Sequence, residues 1–128
     1  MDIELMMKIQ EANQKSENIN QQIEVVDQQT KELKAFKNGL ENLGNSEEKE
    51  ILASIGKGVF IKSEIKEKNL FVDVGAGIFV RKGFEETIKV SEDQIKKLEE
   101  MKLQLTYELS ILNSELELLI ENAGKEEK

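Results

Sequence analysis

The sequence contains no cysteine, no histidine and no proline. Without cysteine the chain can form neither a disulfide nor a thiolate metal site, which fits a reducing compartment. Without histidine, the commonest acid–base pairs, zinc sites and Ser-His catalytic groups cannot be built from these residues. These absences predict a binding protein and not an enzyme, with no catalytic residue, no cofactor and no metal.

Long apolar runs are also lacking. No segment approaches the ~18 to 20 consecutive apolar residues that a membrane-spanning helix needs. The chain opens on Met1–Glu4, which has neither the basic stretch nor the apolar region of a secretory signal. We therefore expect a soluble, cytoplasmic protein that has no membrane partner.

Aromatic residues make up only 5% of the chain and hydrophobic residues 38%, whereas 34% of the residues are charged and the net charge is -8. This balance cannot supply a large globular core in 128 residues. It is typical of long helices that bury one narrow seam. A regular repeat of Leu and Ile argues against disorder.

Two segments carry apolar or small residues at alternating spacings of four and three, the pattern of a coiled-coil seam. In residues 1–44 these positions are Leu5, Ile9, Ala12, Ser16, Ile19, Ile23, Val26, Thr30, Leu33 and Leu40. In residues 84–123 they are Ile88, Ser91, Ile95, Leu98, Lys102, Leu105, Leu109, Leu112, Leu116, Leu119 and Ala123, among which Lys102 is the charged exception. Lys37 interrupts the first seam, and we expect Phe36 to take its place.

The middle segment, residues 50–82, changes to short β-rich runs that glycines separate. The four predicted strands are Ile51 to Ile55, Val59 to Ile65, Leu70 to Val74 and Ile78 to Arg81. Two of the connections contain Gly-x-Gly, which could suggest a phosphate loop. Neither opens into a helix, and Val80 stands where a dinucleotide fingerprint needs its third glycine, so both are predicted to be hairpin turns.

The predicted architecture is mainly α with a small β insert, in a single domain that covers residues 1–128. It is an antiparallel coiled-coil hairpin of two helices whose turn carries the strands. Helices of roughly 40 residues extend about 60 Å, which would place both termini at one tip and the strands at the other end. Paired residue numbers should sum to roughly 124 across the seam. Leu5 would then meet Leu119, and Leu40 would meet Phe84.

The predicted strands carry apolar residues on both faces, and one sheet can cover only one face with its own helices. Isolated hairpins are marginal in water, so a second layer from other subunits is the expected solution. The residues predicted to assemble the oligomer are Val59, Phe60, Ile61, Ile65, Leu70, Phe71, Val72, Val74, Ile78, Phe79 and Val80. A self-contained small barrel remains the alternative.

At the far tip, several apolar residues fall outside the seam, among them Ile3, Met7 and Tyr107. Exposed apolar patches often mark interaction surfaces, and methionine adapts to varied partners. The predicted client-binding residues are Ile3, Leu5, Met6, Met7, Ile111, Leu118, Leu119 and Ile120. Ordinary scatter of apolar residues on the surface would explain them about as well.

Charge is uneven along the chain: residues 1–50 sum to -5, residues 51–84 to +3 and residues 85–128 to -6. The basic insert could contact nucleic acid, but the acidic whole opposes it and no nucleic-acid motif is present. We therefore expect no nucleic-acid partner. An acidic protein partner, or the chain's own helices, suits the insert better.

The order of long helix, two hairpins and long helix resembles the alpha-class prefoldin subunit of the archaeal type. The likeness covers nearly the whole chain and is most specific in residues 50–90. Its signature is carried by Ile51–Phe60, Leu70–Val80 and Glu85–Ile88. One departure is Ser54, where the family often carries proline before the first hairpin glycine.

The resemblance implies a hexamer of two alpha-type and four beta-type subunits, with β-barrels between subunits and coiled coils whose tips hold unfolded polypeptides. It also implies delivery of these clients to a group II chaperonin without ATP. Two hairpins favour the alpha class. The rival interpretations are a structural scaffold, such as a filament-forming prefoldin paralogue, and a tethering coiled coil of transcription or transport machinery.

Overall fold

The computed structural model describes residues 2–126, and the predicted fold class is confirmed. Two long helices flank two small β-hairpins. The elements are α1 (Ile3–Asn45), β1 (Glu50–Gly56), β2 (Val59–Glu64), β3 (Leu70–Gly75), β4 (Ile78–Lys82) and α2 (Phe84–Glu126). The outermost residues of the predicted domain 1–128, residues 1 and 127–128, lie outside the described residues. The extent of that single domain stays a prediction.

Both helices begin with carboxylates, which suits the positive end of the helix dipole. At the start of α1, the Oδ1 atom of Asp2 accepts a hydrogen bond from the backbone N–H of Glu4 at 3.2 Å, as an N-cap residue does. The first turn of α2 holds Glu85 and Glu86. Local chemistry therefore sets where each helix starts.

The strands form two separate antiparallel hairpins, β1 with β2 and β3 with β4. In each hairpin the strands are joined by a two-residue turn, and both turn residues have positive φ. This geometry matches the right-handed twist of the flanking strands. These residues are Lys57 and Gly58 in one turn and Ala76 and Gly77 in the other. The predicted hairpin turns are confirmed. The alternative of a self-contained barrel is wrong for the described residues, because the two hairpins share no strand pairing.

The two hairpins repeat the same local design nineteen positions apart in the chain. Just before each turn the register shifts and one apolar residue is extra, Ile55 in β1 and Val74 in β3. The residue before it accepts a hydrogen bond from the first turn glycine: Ser54 Oγ at 3.3 Å and Asp73 Oδ1 at 2.9 Å. A bulge of this kind increases the local twist and leaves the extra residue unpaired.

By its internal contacts the chain divides into two units. The terminal unit consists of residues 2–32 with residues 95–126, and the hairpin unit consists of residues 33–94. Helices α1 and α2 each contribute to both.

The terminal unit is a helix pair with a thin core. Its buried apolar residues are Ala12, Val26, Ile95, Leu105 and Ala123, all of which the seam pattern predicts. At the edge of the seam, the Lys102 Nζ lies 2.8 Å from the Asp27 Oδ1. Lys102 is thus an exposed member of the seam, and the other predicted seam residues of this unit are buried or half-buried.

In the hairpin unit, α1 and α2 run antiparallel. The Lys37 Nζ lies 3.2 Å from the Glu92 Oε1. A Cβ at Gly44 would lie 3.2 Å from the Phe84 ring, so this glycine allows the close packing of Phe84. Residue numbers fall on α2 as they rise on α1, which confirms the antiparallel arrangement within this unit.

The predicted register is wrong by about one helical turn. The contacting pairs Asp27–Lys102 and Lys37–Glu92 each have residue numbers that sum to 129, and Gly44–Phe84 sums to 128, where roughly 124 was expected. Phe84 packs against Gly44, one helical turn beyond Leu40 on α1. A heptad pattern fixes which face of a helix is buried, but the pattern looks similar after a shift of one turn.

The prediction that Phe36 replaces Lys37 in the seam is also wrong. Phe36 is 52% exposed, and Lys37 keeps the seam position with its side chain half-buried. The hydrogen bond to the Glu92 carboxylate raises the pKa of Lys37 above its ordinary value, against the smaller opposing effect of desolvation. A lysine can occupy this position because its long stem packs along apolar surface while the charge reaches a carboxylate at the edge.

Lys68, in the connection between the hairpins, is tied to the end of α1. Its Nζ donates hydrogen bonds to the backbone carbonyls of Gly44 at 3.0 Å and Ser46 at 2.7 Å. A cation suits the negative end of a helix dipole and satisfies carbonyls that have no partner within the helix. This contact anchors the strand region to α1 inside the hairpin unit.

Candidate assembly and client-binding surfaces

The apolar side chains of the four strands form the hairpin surface, and most of them are exposed to solvent. Of the predicted assembly residues, eight are exposed, namely Val59, Phe60, Ile61, Phe71, Val74, Ile78, Phe79 and Val80. The other three, Ile65, Leu70 and Val72, are half-buried. The structure thus brings the predicted residues together on the hairpins, and their role in assembly stays a prediction.

Strand register separates the two faces of each hairpin. In the first hairpin Ser54 pairs with Phe60 and Leu52 with Lys62, so Leu52 and Phe60 share a face, and both are exposed. On the opposite face Ala53 pairs with Ile61, and Ala53 is half-buried. One face is therefore fully open and the other is partly covered.

The second hairpin follows the same rule. Asp73 pairs with Phe79, which places Phe79 on the face of Phe71, and both rings are exposed. Half-buried Leu70 and Val72 lie on the other face. Each hairpin thus presents an open apolar face that includes at least one phenylalanine.

The Phe71 ring has a charged neighbour. The Arg81 guanidinium lies 5.5 Å from the ring centroid and 3.8 Å from the Glu67 carboxylate, measured from its Nη2 atom. This geometry allows a cation–π contact worth about 0.5–1 kcal/mol at an exposed site. It shields one part of the ring and leaves the rest accessible.

Strand edges add a second kind of binding group. A two-stranded sheet has two outer edges whose backbone N–H and C=O groups lack a strand partner, and such sheets are marginal alone. An additional strand from another chain can pair with an edge while its side chains cover the open face. The hairpin unit therefore has the chemistry needed for strand-mediated assembly.

Two exposed residues of this surface were missed by the sequence reasoning. Leu52 and Ile55 belong to β1 and are among the most exposed large hydrophobic residues of the strands. The alternation in Ile51–Ile55 could have identified Leu52, since it shares a face with Ser54 and thus with Phe60. Ile55 is a bulged residue, and bulges have a weak sequence signal.

The predicted client-binding residues divide into two groups in the terminal unit. The exposed ones are Ile3, Met6, Met7, Ile111, Leu118 and Ile120. Leu5 and Leu119 are half-buried, since they belong to the seam. The expectation that Ile3, Met7, Tyr107, Ile111 and Leu118 face outward is confirmed, while a role in client binding stays a prediction.

Leu103 is a further exposed residue of α2 that the sequence reasoning missed. Its side chain is 72% exposed, and it lies one helical turn before Tyr107, which is 67% exposed. The spacing of four residues to Tyr107 was the available signal, because residues four apart share a helix face.

Within residues 2–126, no helix has the length and apolar content to cross a membrane. Over the same residues, the acidic side chains form no group that could hold a metal ion.

Comparison with known proteins gives a consistent result. The family described as "Prefoldin subunit" matches residues 12–126. The chain is similar to a filamentous PFD from Methanocaldococcus jannaschii, solved by cryo-EM, with a TM-score of 0.73 and 24% identity. The similarity covers 88% of this chain and 94% of the other. No curated protein matches in sequence.

The match of the family to most of the chain, together with two long helices that flank two β-hairpins, settles the assignment. The chain belongs to the prefoldin subunit family, whose members are chaperones and scaffolds and not enzymes.

Proposed function

We propose that this protein is a subunit of an ATP-independent molecular chaperone of the cytoplasm, which captures unfolded polypeptides and delivers them to a group II chaperonin. The observation that carries the proposal is the exposure of Ile3, Met6, Met7, Leu118 and Ile120 in the terminal unit of a prefoldin-family chain. Non-native polypeptides expose apolar side chains, and an exposed apolar surface can bind them without any chemical reaction.

The capture we propose is weak at each contact and multivalent in sum. A few exposed apolar residues at the helix ends offer little area, and methionine side chains adapt to varied partners. Tethering several such ends in one assembly raises their effective concentration, and avidity can then exceed single-site affinity by about 10²–10⁴. Release needs no nucleotide, because each contact dissociates readily on its own.

Assembly is proposed to occur through the hairpin surface, with two alpha-type subunits of this kind and four beta-type prefoldin subunits in a hexamer. Support comes from the open apolar faces around Phe60 and Phe71 and from the unpaired strand edges. Burial of these faces by a second layer would satisfy both the side chains and the backbone.

Truncation separates capture from assembly. A chain that lacks residues 1–8 and 115–128 loses the exposed apolar helix ends but keeps all four strands, so it should assemble and fail to hold clients. Oligomer size is measured by native mass spectrometry with a beta-type partner that carries matching truncations. Client holding is measured as suppression of aggregation of a chemically unfolded test protein.

Full protection by the trimmed assembly would exclude the helix ends as the capture site. The matched control is the full-length chain with Val25→Ser, because Val25 is an exposed apolar residue of α1 outside the predicted client-binding set. This control should protect the test protein as well as the unmodified assembly does.

A structural scaffold is the second candidate function. The likeness to a filamentous PFD favours it, and the strand edges of a two-hairpin unit can join like subunits as readily as unlike ones. Native mass spectrometry of this chain alone distinguishes the two candidates. A ladder of homo-oligomers supports the scaffold, whereas a closed complex formed only with the beta-type partner supports the chaperone.

A further inference from the structure

The outer face of α2 in the terminal unit carries an apolar stripe away from the helix seam. We define the outer stripe as Leu103, Tyr107, Ile111 and Leu118, all of which are exposed. At about 100° per residue these four positions fall within an arc of about 80° on the helix. The buried and half-buried seam positions between them, such as Leu105 and Leu112, lie on the opposite side of α2.

The outer stripe is continuous and free of charge. Ser114 fills the gap on the same arc between Ile111 and Leu118. The stripe extends about 22 Å along the helix at 1.5 Å per residue. Its 4-4-7 spacing matches the row of side chains that a second helix packs against.

Charges along the margins of the stripe have one sign. From residue 103 to residue 124, α2 contains no lysine or arginine, and its charged residues are Glu108, Glu115, Glu117 and Glu121. Glu108 and Glu115 lie on one margin, and Glu117 lies on the other. Within the described part of the chain, these three carboxylates form no ion pair. The charged side chains that α2 itself places beside the stripe are therefore all negative.

These observations determine which partner fits. A second copy of the same stripe would bring carboxylates against carboxylates, and like-charge contacts oppose association. A helix with apolar residues on one face and Lys or Arg on its flanks would cover the stripe and neutralise both margins. We propose that the outer stripe binds basic amphipathic helices in client polypeptides. This inference rests on the proposed chaperone function and names the class of segment that the terminal unit prefers.

Peptide binding tests the proposal directly on the full-length chain. The probe is a fluorescent amphipathic peptide of about 16 residues, the length of the stripe, with leucine on one face and lysine on both flanks. The comparison peptide has glutamate in place of lysine. We expect the basic peptide to bind at least about tenfold more tightly at low salt, and this preference to shrink as salt screens the charges.

Two sets of variants separate the apolar and the charged contributions. Leu103→Ser with Tyr107→Ser should weaken binding of the basic peptide by about tenfold or more, because two apolar contacts are lost. Glu108→Gln, Glu115→Gln and Glu117→Gln together should abolish the preference for the basic peptide and its salt dependence. The single change Leu103→Ser serves as a second apolar variant if the double variant loses helix by circular dichroism. Val25→Ser on α1 is the matched control and should change nothing.

Each result has a definite meaning. Equal binding of the two peptides, or unchanged binding by the Leu103 and Tyr107 variants, would overturn the proposal. A change in oligomer size for the double variant Leu103→Ser and Tyr107→Ser without a change in peptide binding would also overturn it, because a second subunit would then occupy the stripe. Aggregation assays with the assembled complex report separately on the proposed function. If the unmodified assembly protects no client, the chaperone function fails, whereas the peptide result still decides what the stripe binds.

Discussion

The helix seams and the hairpins contain similar apolar residues but differ in how those residues are covered. In the terminal unit, the seam side chains of one helix are covered by the other helix of the same chain, as burial of Val26 and Leu105 shows. In the hairpins, Phe60 and Phe71 remain more than half exposed, although Arg81 shields part of the Phe71 ring. Two long helices can bury each other's apolar stripe, whereas a two-stranded sheet cannot bury its own apolar faces.

The difference indicates which part of the molecule depends on other chains. A helix makes its backbone hydrogen bonds internally and must bury only one stripe, which a second helix supplies. A hairpin leaves both outer edges unpaired and has two faces to cover. We therefore expect stability of the terminal unit to be a property of the single chain, and stability of the hairpins to depend on assembly.

The largest expected effect tests the open hairpin faces. Phe60→Asp with Phe71→Asp should abolish assembly while much of the helix remains, because an unpaired carboxylate in an apolar interface costs several kcal/mol. Gel filtration measures oligomer size, and circular dichroism measures helix content. The matched control is Phe36→Asp, since Phe36 is 52% exposed and the other two rings are each 57% exposed. A full-size oligomer of the double variant would show that these faces lie outside the interface.

The second effect tests the closed seam within the single chain. Leu105→Ala should lower the free energy of unfolding by about 2–4 kcal/mol, because it opens a cavity in a thin core. Leu103→Ala, two residues away, should change it by less than about 0.5 kcal/mol, since surface substitutions rarely do more. Leu105 is 9% exposed and Leu103 is 72% exposed. Urea unfolding monitored by circular dichroism measures both, and equal losses would contradict the assigned seam.

The smallest effect tests the charged pair in the seam of the hairpin unit. The raised pKa of Lys37 means that its pairing with Glu92 contributes fully below the ordinary lysine pKa of about 10.4. That contribution is lost as the pH rises through the higher folded-state value. Unfolding free energy should thus fall more steeply above pH ~10.4 in the unmodified chain than in Lys37→Met.

Lys37→Arg provides the control for this pH dependence. Arginine stays protonated at these pH values, so the variant should keep its stability to higher pH than the unmodified chain. Equal pH profiles for the unmodified chain, Lys37→Met and Lys37→Arg would mean that the pair has no effect on stability. The readout is urea unfolding across a pH series, compared as differences between variants.

The sequence predicted the elements well, because each leaves a local signal. Alternating four-three spacing identified the buried faces of both helices, including Ala12 and Ala123. Glycines at Gly58 and Gly77 marked the hairpin turns, where positive φ favours residues without a Cβ. Most of the assembly surface could be named for the same reason, since apolar residues on both faces of a strand are visible in the sequence.

Some features of the surface could be missed because their signal is weak. Ile55 is exposed through a bulge, and a bulge depends on the register between two strands. Leu103 lies outside the seam, where single apolar residues are common and carry little information. Only its alignment with Tyr107 and Ile111 on one helix face makes it part of a surface.

The amino-acid sequence by itself determined the kind of element in each segment and which face of it is apolar, since both follow from local spacing and backbone preferences. Tertiary structure alone decided which residues meet. The contacting residues of α1 and α2 lie about one turn away from the expected register. Lys37 keeps the seam position that Phe36 was expected to take. The physical reason is that a repeating seam offers several registers of similar burial. Specific contacts, such as Lys37 with Glu92 and Phe84 against Gly44, then distinguish among them.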